Sequence, residues 1–227
     1  MIKSIKINYK LLAIILVIIF YLIYININNG YKANTISYAT PFILIDAGHG
    51  SPDGGAIGLT TGVKESDLNL EYAKTLKTYF LSLNYKVELI RTSEYGLLED
   101  KYEDMLKRKE IIEKSNCDIF ISIHMNKFSL TSSIGAQTFY KQNDENSKKL
   151  ANCIRDLLVK NIEDARKLSL EGDYLVLNSA SCPACLVECG FLSNEKDELR
   201  LQQKEFREKL CYQIFCGTIK YLNSSLY

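Results

Sequence analysis

The feature that most narrows the fold is a regular alternation of short apolar runs with longer stretches of helical periodicity. Phe42-Ile-Leu-Ile-Asp46 is continuously apolar and leads straight into glycines, as a strand covered on both faces does. From Ser66 onward, Leu68, Tyr72, Leu76, Phe80 and Leu83 recur at helical spacing, and Lys86 to Ile90 reads as a second strand. A helix from about Leu98 to Ser115, free of Gly and Pro, leads into a third strand, Asp118 to His124. Ala136 to Tyr140 is predicted as a fourth strand, Glu145 to Asn161 as a helix, Tyr174 to Leu177 as a fifth strand and Ala184 to Glu188 as a sixth. About Lys204 to Tyr221 forms a closing helix. Such alternation predicts an α/β fold: a single domain with a mainly parallel six-stranded twisted sheet and helices on both faces. Ligands of such sheets sit at the carboxyl ends of the strands.

The N-terminus reads differently. Lys3, Lys6, Lys10 and Lys32 are the only charges in the first 40 residues. Behind the first three runs an unbroken apolar segment, Leu11 to Ile25. Fifteen helical residues rise about 22 Å, short of the roughly 30 Å hydrocarbon core, although Asn26 and Ile27 could extend the span. No small-x-small cleavage site lies close behind it, which favours an uncleaved anchor over a cleaved signal. Lysines before the segment keep the N-terminus inside, so either reading exports the rest of the chain. The expected organisation is residues 1–28 as membrane anchor or signal segment, 29–40 as linker and 41–227 as the folded domain. Taking the four lysines from 28 basic residues leaves 24 against 27 acidic ones, so the folded part gives no support to nucleic-acid binding.

Chemistry-bearing residues are scarce enough to be informative. The chain has two histidines, His49 and His124, each just past a predicted strand. Glu65 opens the helix after the first, and Glu188 closes the sixth strand in an apolar surround, where a carboxylate must be paired, protonated or functional. Two imidazoles and two carboxylates at one sheet edge are the inventory of a catalytic zinc site, three groups holding the ion and a fourth handling protons. Asp46, in Asp46-Ala-Gly-His-Gly50, is placed to fix the His49 tautomer. Each residue also has a plainer explanation: a turn histidine for His49, macrodipole compensation for Glu65, a satisfied core histidine for His124.

Ile45-Asp-Ala-Gly-His-Gly50, Lys64-Glu-Ser-Asp-Leu-Asn69, Ser122-Ile-His-Met-Asn126 and Leu186-Val-Glu-Cys-Gly-Phe-Leu-Ser-Asn194 resemble, in order and spacing, the four motifs of the zinc-dependent N-acetylmuramoyl-L-alanine amidases of the amidase-3 type. The resemblance runs from about Phe42 to the C-terminus. The membrane segment, the lone catalytic domain and Gly172-Asp-Tyr-Leu-Val-Leu177 further resemble the spore-cortex members of that family. It implies His49, Glu65 and His124 as Zn2+ ligands and Glu188 as the catalytic carboxylate. It further implies cleavage of the amide between the muramic acid lactyl group and L-alanine of peptidoglycan, in a spore-cortex setting where muramic δ-lactam is later formed. Arg108 matches an arginine on the family's helix before the His124 strand, as an ion pair or a substrate contact; Asn126 is a candidate to bind glycan or orient a ligand. Arg166 and Lys167 are weaker candidates for a stem-peptide carboxylate. The expected location is the extracytoplasmic side, the forespore or cortex space for a spore-cortex member, with an accessory protein as a further partner. The competing readings are a zinc carboxypeptidase or other amidohydrolase, and a non-catalytic wall-binding regulator.

Seven cysteines are an odd count for a disulfide framework in a domain this large. Cys182-Pro-Ala-Cys185 has redox-motif spacing but precedes a strand instead of opening a helix, and no second pair completes a four-cysteine metal site. Cys189, Cys211 and Cys216 read as small buried hydrophobes.

Overall fold

The computed structural model describes residues 9–30 and 40–224. Helix α1 (Tyr9–Gly30) belongs to an N-terminal unit, and a second unit begins at Thr40. The side chains of α1 from Tyr9 to Tyr24 are exposed on every face. Among the described residues no helix is long and apolar enough to cross a membrane. The expected linker, 29–40, lies outside the described residues except at its ends.

The second unit follows the alternation read from the sequence: β1 (Phe42–Ala47), α2 (Glu65–Ser82), β2 (Lys86–Leu89), α3 (Lys101–Lys114), β3 (Ile119–Asn126), β4 (Gln137–Lys141), α4 (Glu145–Asn161), β5 (Leu170–Gly172), α5 (Leu175–Ser179), β6 (Ala184–Phe191), α6 (Glu195–Leu201) and α7 (Lys204–Ser224). The sheet order is β2-β1-β3-β6-β4-β5. Pairing is parallel throughout except between β4 and β6.

Strands β1 and β6 are buried at every position, which is why they read as continuous apolar runs. Alternation along the strands sorts their side chains into two cores. Ile43 and Ile45, Ile119, Ile121 and Ile123, and Val187 meet Leu76, Ile154 and Ile214 from α2, α4 and α7. Leu44, Phe120 and Leu186 face the other way, against Ile112 of α3 and Val176 and Leu177 of α5. Asp100 caps α3 by accepting from the Tyr102 and Glu103 amides, and Asp144 caps α4 through Ser147 N.

Two expectations need correction. Tyr174 to Leu177, read as the fifth strand, is the entry into α5, and β5 lies just before it at Leu170–Gly172. Val176 and Leu177 are both buried although adjacent, which a helix turn covering a sheet face allows and a half-exposed edge strand does not. Helix α6 was not foreseen; Asn194 caps it through Asp197 N in a stretch too short to show a period.

Helices α4 and α7 approach closely because Gly217 lacks a side chain: a Cβ there would lie 2.5–2.9 Å from backbone atoms of Ile154 and Cys153. Gly217→Ala should therefore force the helices apart and cost about 1–3 kcal/mol, read as a lower urea midpoint. An unchanged midpoint would mean the contact relaxes freely.

Candidate metal centre

Four segments meet at the carboxyl ends of β1, β3 and β6. His49 follows β1 on a loop whose backbone is left-handed at His49 itself (φ 61°) and at Gly50 (φ 142°). A non-glycine residue held there stores strain of order 1 kcal/mol, which the surroundings must offset. Gly48 serves a different purpose from turning the chain, because a Cβ on it would overlap the His124 imidazole. Gly55 (φ 66°) is constrained in the same way, with the Glu65 carboxylate and the His49 ring against its Cα.

Glu65 is the first residue of α2 and 4% exposed, yet its carboxylate is not spent on capping the helix. Oε2 accepts from Ala56 N at 2.8 Å; Oε1 accepts from Met125 N and Asn69 Nδ2, both at 3.2 Å. The same Oε1 lies 2.9 Å from His124 Nδ1 and 3.2 Å from His49 Nε2. One potential ligand atom from each of His49, Glu65 and His124 falls within 4.8 Å of the others. The imidazoles stand edge-on, 5.2 Å apart at 78°.

Glu188 is the register partner of His124 on the neighbouring strand. It is 8% exposed, and its Oε2 has no hydrogen-bond partner. Burial pushes its carboxyl up to about 7; Glu65 adds to the rise, and the two histidines oppose it. Burial works against the charge on Glu65 too, but hydrogen bonds and attraction from His124 and His49 win and hold it well below the usual range. His49 is raised to about 8, burial being outweighed by Glu65 and Asp53.

The residue that orients His49 is Asp53, not Asp46 as the sequence suggested. Asp53 Oδ2 lies 2.7 Å from His49 Nδ1, and Lys101 Nζ lies 3.2 Å from the same oxygen. This leaves Nε2 as the nitrogen facing Glu65. Asp46 instead points down the face shared with Ser122, accepting from Ser122 Oγ at 2.9 Å and pairing with Arg108 Nη1 at 2.5 Å. Arg108, 1% exposed, also binds Asp104 at 2.6 Å and the carbonyls of Ala47 and His49. Its guanidinium is thus committed inside the protein. Asn126 ends β3 and borders the cleft, whereas Arg166 lies over the Phe191 ring at 4.9 Å, and neither it nor Lys167 lines the cleft.

A cleft of about 420 Å³ opens over the cluster, walled by Met105, Lys127, Tyr174, Leu175 and Val176. Sequence reasoning missed four contributors: Asp53, Gly55, Arg91 and Tyr174. Arg91 donates to the carbonyls of Ala47, Gly48 and Ser66 at 2.7–3.0 Å. A signal for Gly55 existed in Gly54-Gly55, but nothing in the sequence says which backbone a distant arginine serves.

Once deprotonated, the two imidazoles join the Glu65 carboxylate as a suitable donor set for Zn2+, and binding would displace the proton that the raised His49 otherwise holds. The partnerless buried oxygen of Glu188 beside them fits a centre that takes a cation and a polar ligand. A carboxyl near 7 can take up and release a proton at neutral pH.

Comparison with known proteins finds amidases of similar sequence and fold. The family model described as N-acetylmuramoyl-L-alanine amidase, Amidase_3, matches residues 43–220. The germination-specific N-acetylmuramoyl-L-alanine amidase of Bacillus subtilis (strain 168) is 31% identical over 204 residues, covering 86% of this chain and 85% of the relative. The N-acetylmuramoyl-L-alanine amidase LytC of the same organism is 30% identical over 79% of this chain but only 35% of its own length. Among solved structures, the CwlD amidase from Clostridioides difficile in complex with the GerS lipoprotein aligns at TM-score 0.77 and 34% identity, over 81% of this chain and 99% of that one.

Two predictions follow from the electrostatics. Arg108→Ala strands the buried Asp46 carboxylate and should cost about 3–5 kcal/mol in urea denaturation, with Asp46→Asn in the same background recovering part of it. Equal midpoints for wild type and Arg108→Ala would dismiss the pair as a stabilising element. Because the folded pKa of Glu188 lies above its ordinary 4.5, its contribution is full below pH 4.5 and is lost as pH rises through about 7. In metal-free protein, the stability of Glu188→Gln relative to wild type should therefore climb by about 3 kcal/mol between pH 4.5 and 8. Parallel stability curves across that window would show that the carboxyl is not strained.

Proposed function

The chain belongs to the amidase-3 family of N-acetylmuramoyl-L-alanine amidases, and from that we propose that it is a zinc enzyme acting on spore-cortex peptidoglycan. The bond cleaved is the amide between the muramic acid lactyl group and L-alanine. The observation that carries this reading is the convergence of His49, Glu65 and His124 around one point, with the unpartnered Glu188 carboxylate next in register.

In this reading His49, Glu65 and His124 hold Zn2+. Bound there, zinc supplies Lewis acidity and a nucleophile at neutral pH. The protein's own residues do the rest. Asp53 keeps the His49 proton on Nδ1, and the amides of Ala56 and Met125 fix the Glu65 carboxylate before any ion arrives. Glu188 takes the proton of the attacking water and passes it to the departing alanine amine, a role that suits a buried carboxylate with no hydrogen-bond partner to fix its charge state. The cleft walls of Met105, Tyr174 and Val176 lie where the chain flanking the scissile amide would run.

Cell-wall amidases act outside the cytoplasm, and we assign the N-terminal segment the task of delivering the domain there as anchor or signal. The forespore or cortex space is the compartment that the likeness to the germination-specific amidase and to CwlD favours. The C. difficile protein was solved with a lipoprotein partner, which supports an accessory protein for this chain as well.

Digestion of purified peptidoglycan should release intact stem peptides bearing a new L-alanine amino terminus, identified by mass spectrometry, and a chelator should abolish the release. Release of single terminal amino acids would instead establish a carboxypeptidase. Glu188→Ala should keep bound zinc and lose about 10²–10⁴-fold in turnover; an active Glu188→Ala protein would remove the proton-transfer role. Loss of muramic δ-lactam from the cortex of a deletion strain would support the cortex assignment, and intact δ-lactam would reject it.

A further inference from the structure

The amino ends of the two strands that carry His124 and Glu188 hold a second cluster. Cys117 immediately precedes the β3 region, Cys182 lies between α5 and β6, and their sulfurs are 3.0 Å apart although 65 residues separate them in sequence. The strands are neighbours there: Phe120 pairs with Ala184, and Phe120 N donates to Pro183 O at 3.0 Å. Both thiols sit in the α3 and α5 core among Phe42, Ile112, Phe120 and Ala180. Among the described residues no other two sulfurs are hydrogen-bonded to each other. Cys185, the partner suggested by the Cys-Pro-Ala-Cys spacing, turns its sulfur toward the Leu186 carbonyl, and Cys211 toward that of Tyr72. The hydrogen bond between the two sulfurs lowers Cys117 and raises Cys182, so that Cys117 is the better nucleophile.

We infer that Cys117 and Cys182 are a dithiol–disulfide pair, which a small-molecule disulfide converts into a covalent tie between the roots of β3 and β6. The Cys117 thiolate attacks one sulfur of the reagent and expels one thiolate. The Cys182 thiolate then attacks the Cys117 sulfur of the mixed disulfide and expels the second. Both protein thiols give up their protons to solvent, and the two electrons leave with the two released thiolates. About 1 Å of approach separates the present contact from a disulfide bond. The tie would restrict a 65-residue excursion of the unfolded chain that includes β3, β4, α4, β5 and α5.

The test uses the purified full-length chain, fully reduced or equilibrated with oxidised glutathione, then alkylated in denaturant and mapped by mass spectrometry. Alkylatable thiols should fall from seven to five, and one linked peptide should join Cys117 to Cys182. Oxidation should raise the thermal midpoint by about 5–10 °C. Cys117→Ser should keep all six remaining thiols, whereas Cys182→Ser should stop at the mixed disulfide, with Cys117 carrying glutathione and five thiols alkylatable; neither should give a linked peptide or a rise. Seven free thiols after oxidation of the folded protein, or a linked peptide joining any other pair, would overturn the assignment, and neither result depends on the variants folding.

Discussion

Two buried arginines hold the turn on which the proposed metal centre depends. The segment Ala47-Gly-His49 leaves β1 in a left-handed turn and exposes its carbonyls to the protein interior, where unmet acceptors cost about 1–3 kcal/mol each. Arg91 takes the carbonyls of Ala47 and Gly48, and Arg108 takes those of Ala47 and His49. Arg108 would not be tolerable so deep without counter-charge, which Asp46 and Asp104 provide, while Arg91 is satisfied by the carbonyls it serves. The arrangement therefore closes on itself: the carboxylates allow Arg108, the arginines allow the strained turn, and the turn aims His49. A neutral donor could replace some of these hydrogen bonds, but only a planar guanidinium reaches a strand end, a loop carbonyl and a carboxylate at once.

The same physics explains which parts of the molecule could be read in advance. Strands covered on both faces must be apolar throughout, so β1, β3 and β6 were legible as runs. The three polar residues that end or follow such runs, His49, His124 and Glu188, stood out for that reason, whereas Glu65 stood at the start of a helix. Assignments that depended on direction were not legible. Asp46 and Asp53 are both a few residues from His49, but Asp46 lies within a strand and strand alternation sends it to the face of Ser122 and α3. Asp53 returns to the ring only because the loop folds back, with Gly50 N bonded to Asp53 O at 2.9 Å. Tyr174 to Leu177 failed for another reason: four apolar-rich residues satisfy a strand or a helix turn equally, and the decision came from packing against Ile112 and Phe120.

Preorganisation also separates this centre from structural zinc sites, whose ligands find their places only when the ion binds. Glu65 is held by two backbone amides and Asn69, His49 by Asp53, and His124 by its position in the middle strand of three. The ligand geometry is thus supported by hydrogen bonds to the body of the fold, and the domain need not depend on a cation for its architecture.

Glu188 is the exception to that support. Every other buried charge around the cleft has a hydrogen-bonding partner in the protein, whereas the Glu188 carboxylate has an oxygen with none and rises to about 7. A partner such as a serine or an amide at this position would stabilise the ionised form and depress its pKa, so that it would hold a proton too weakly to deliver it to an amine. Leaving the carboxylate bare keeps both protonation states accessible near neutrality, at the expense of stability in the metal-free protein. A bound cation would offset that expense by attracting the ionised form. The cost of ionising Glu188 and its readiness to exchange a proton are therefore linked through one charge balance, that among His49, Glu65, His124 and the ion we propose they hold.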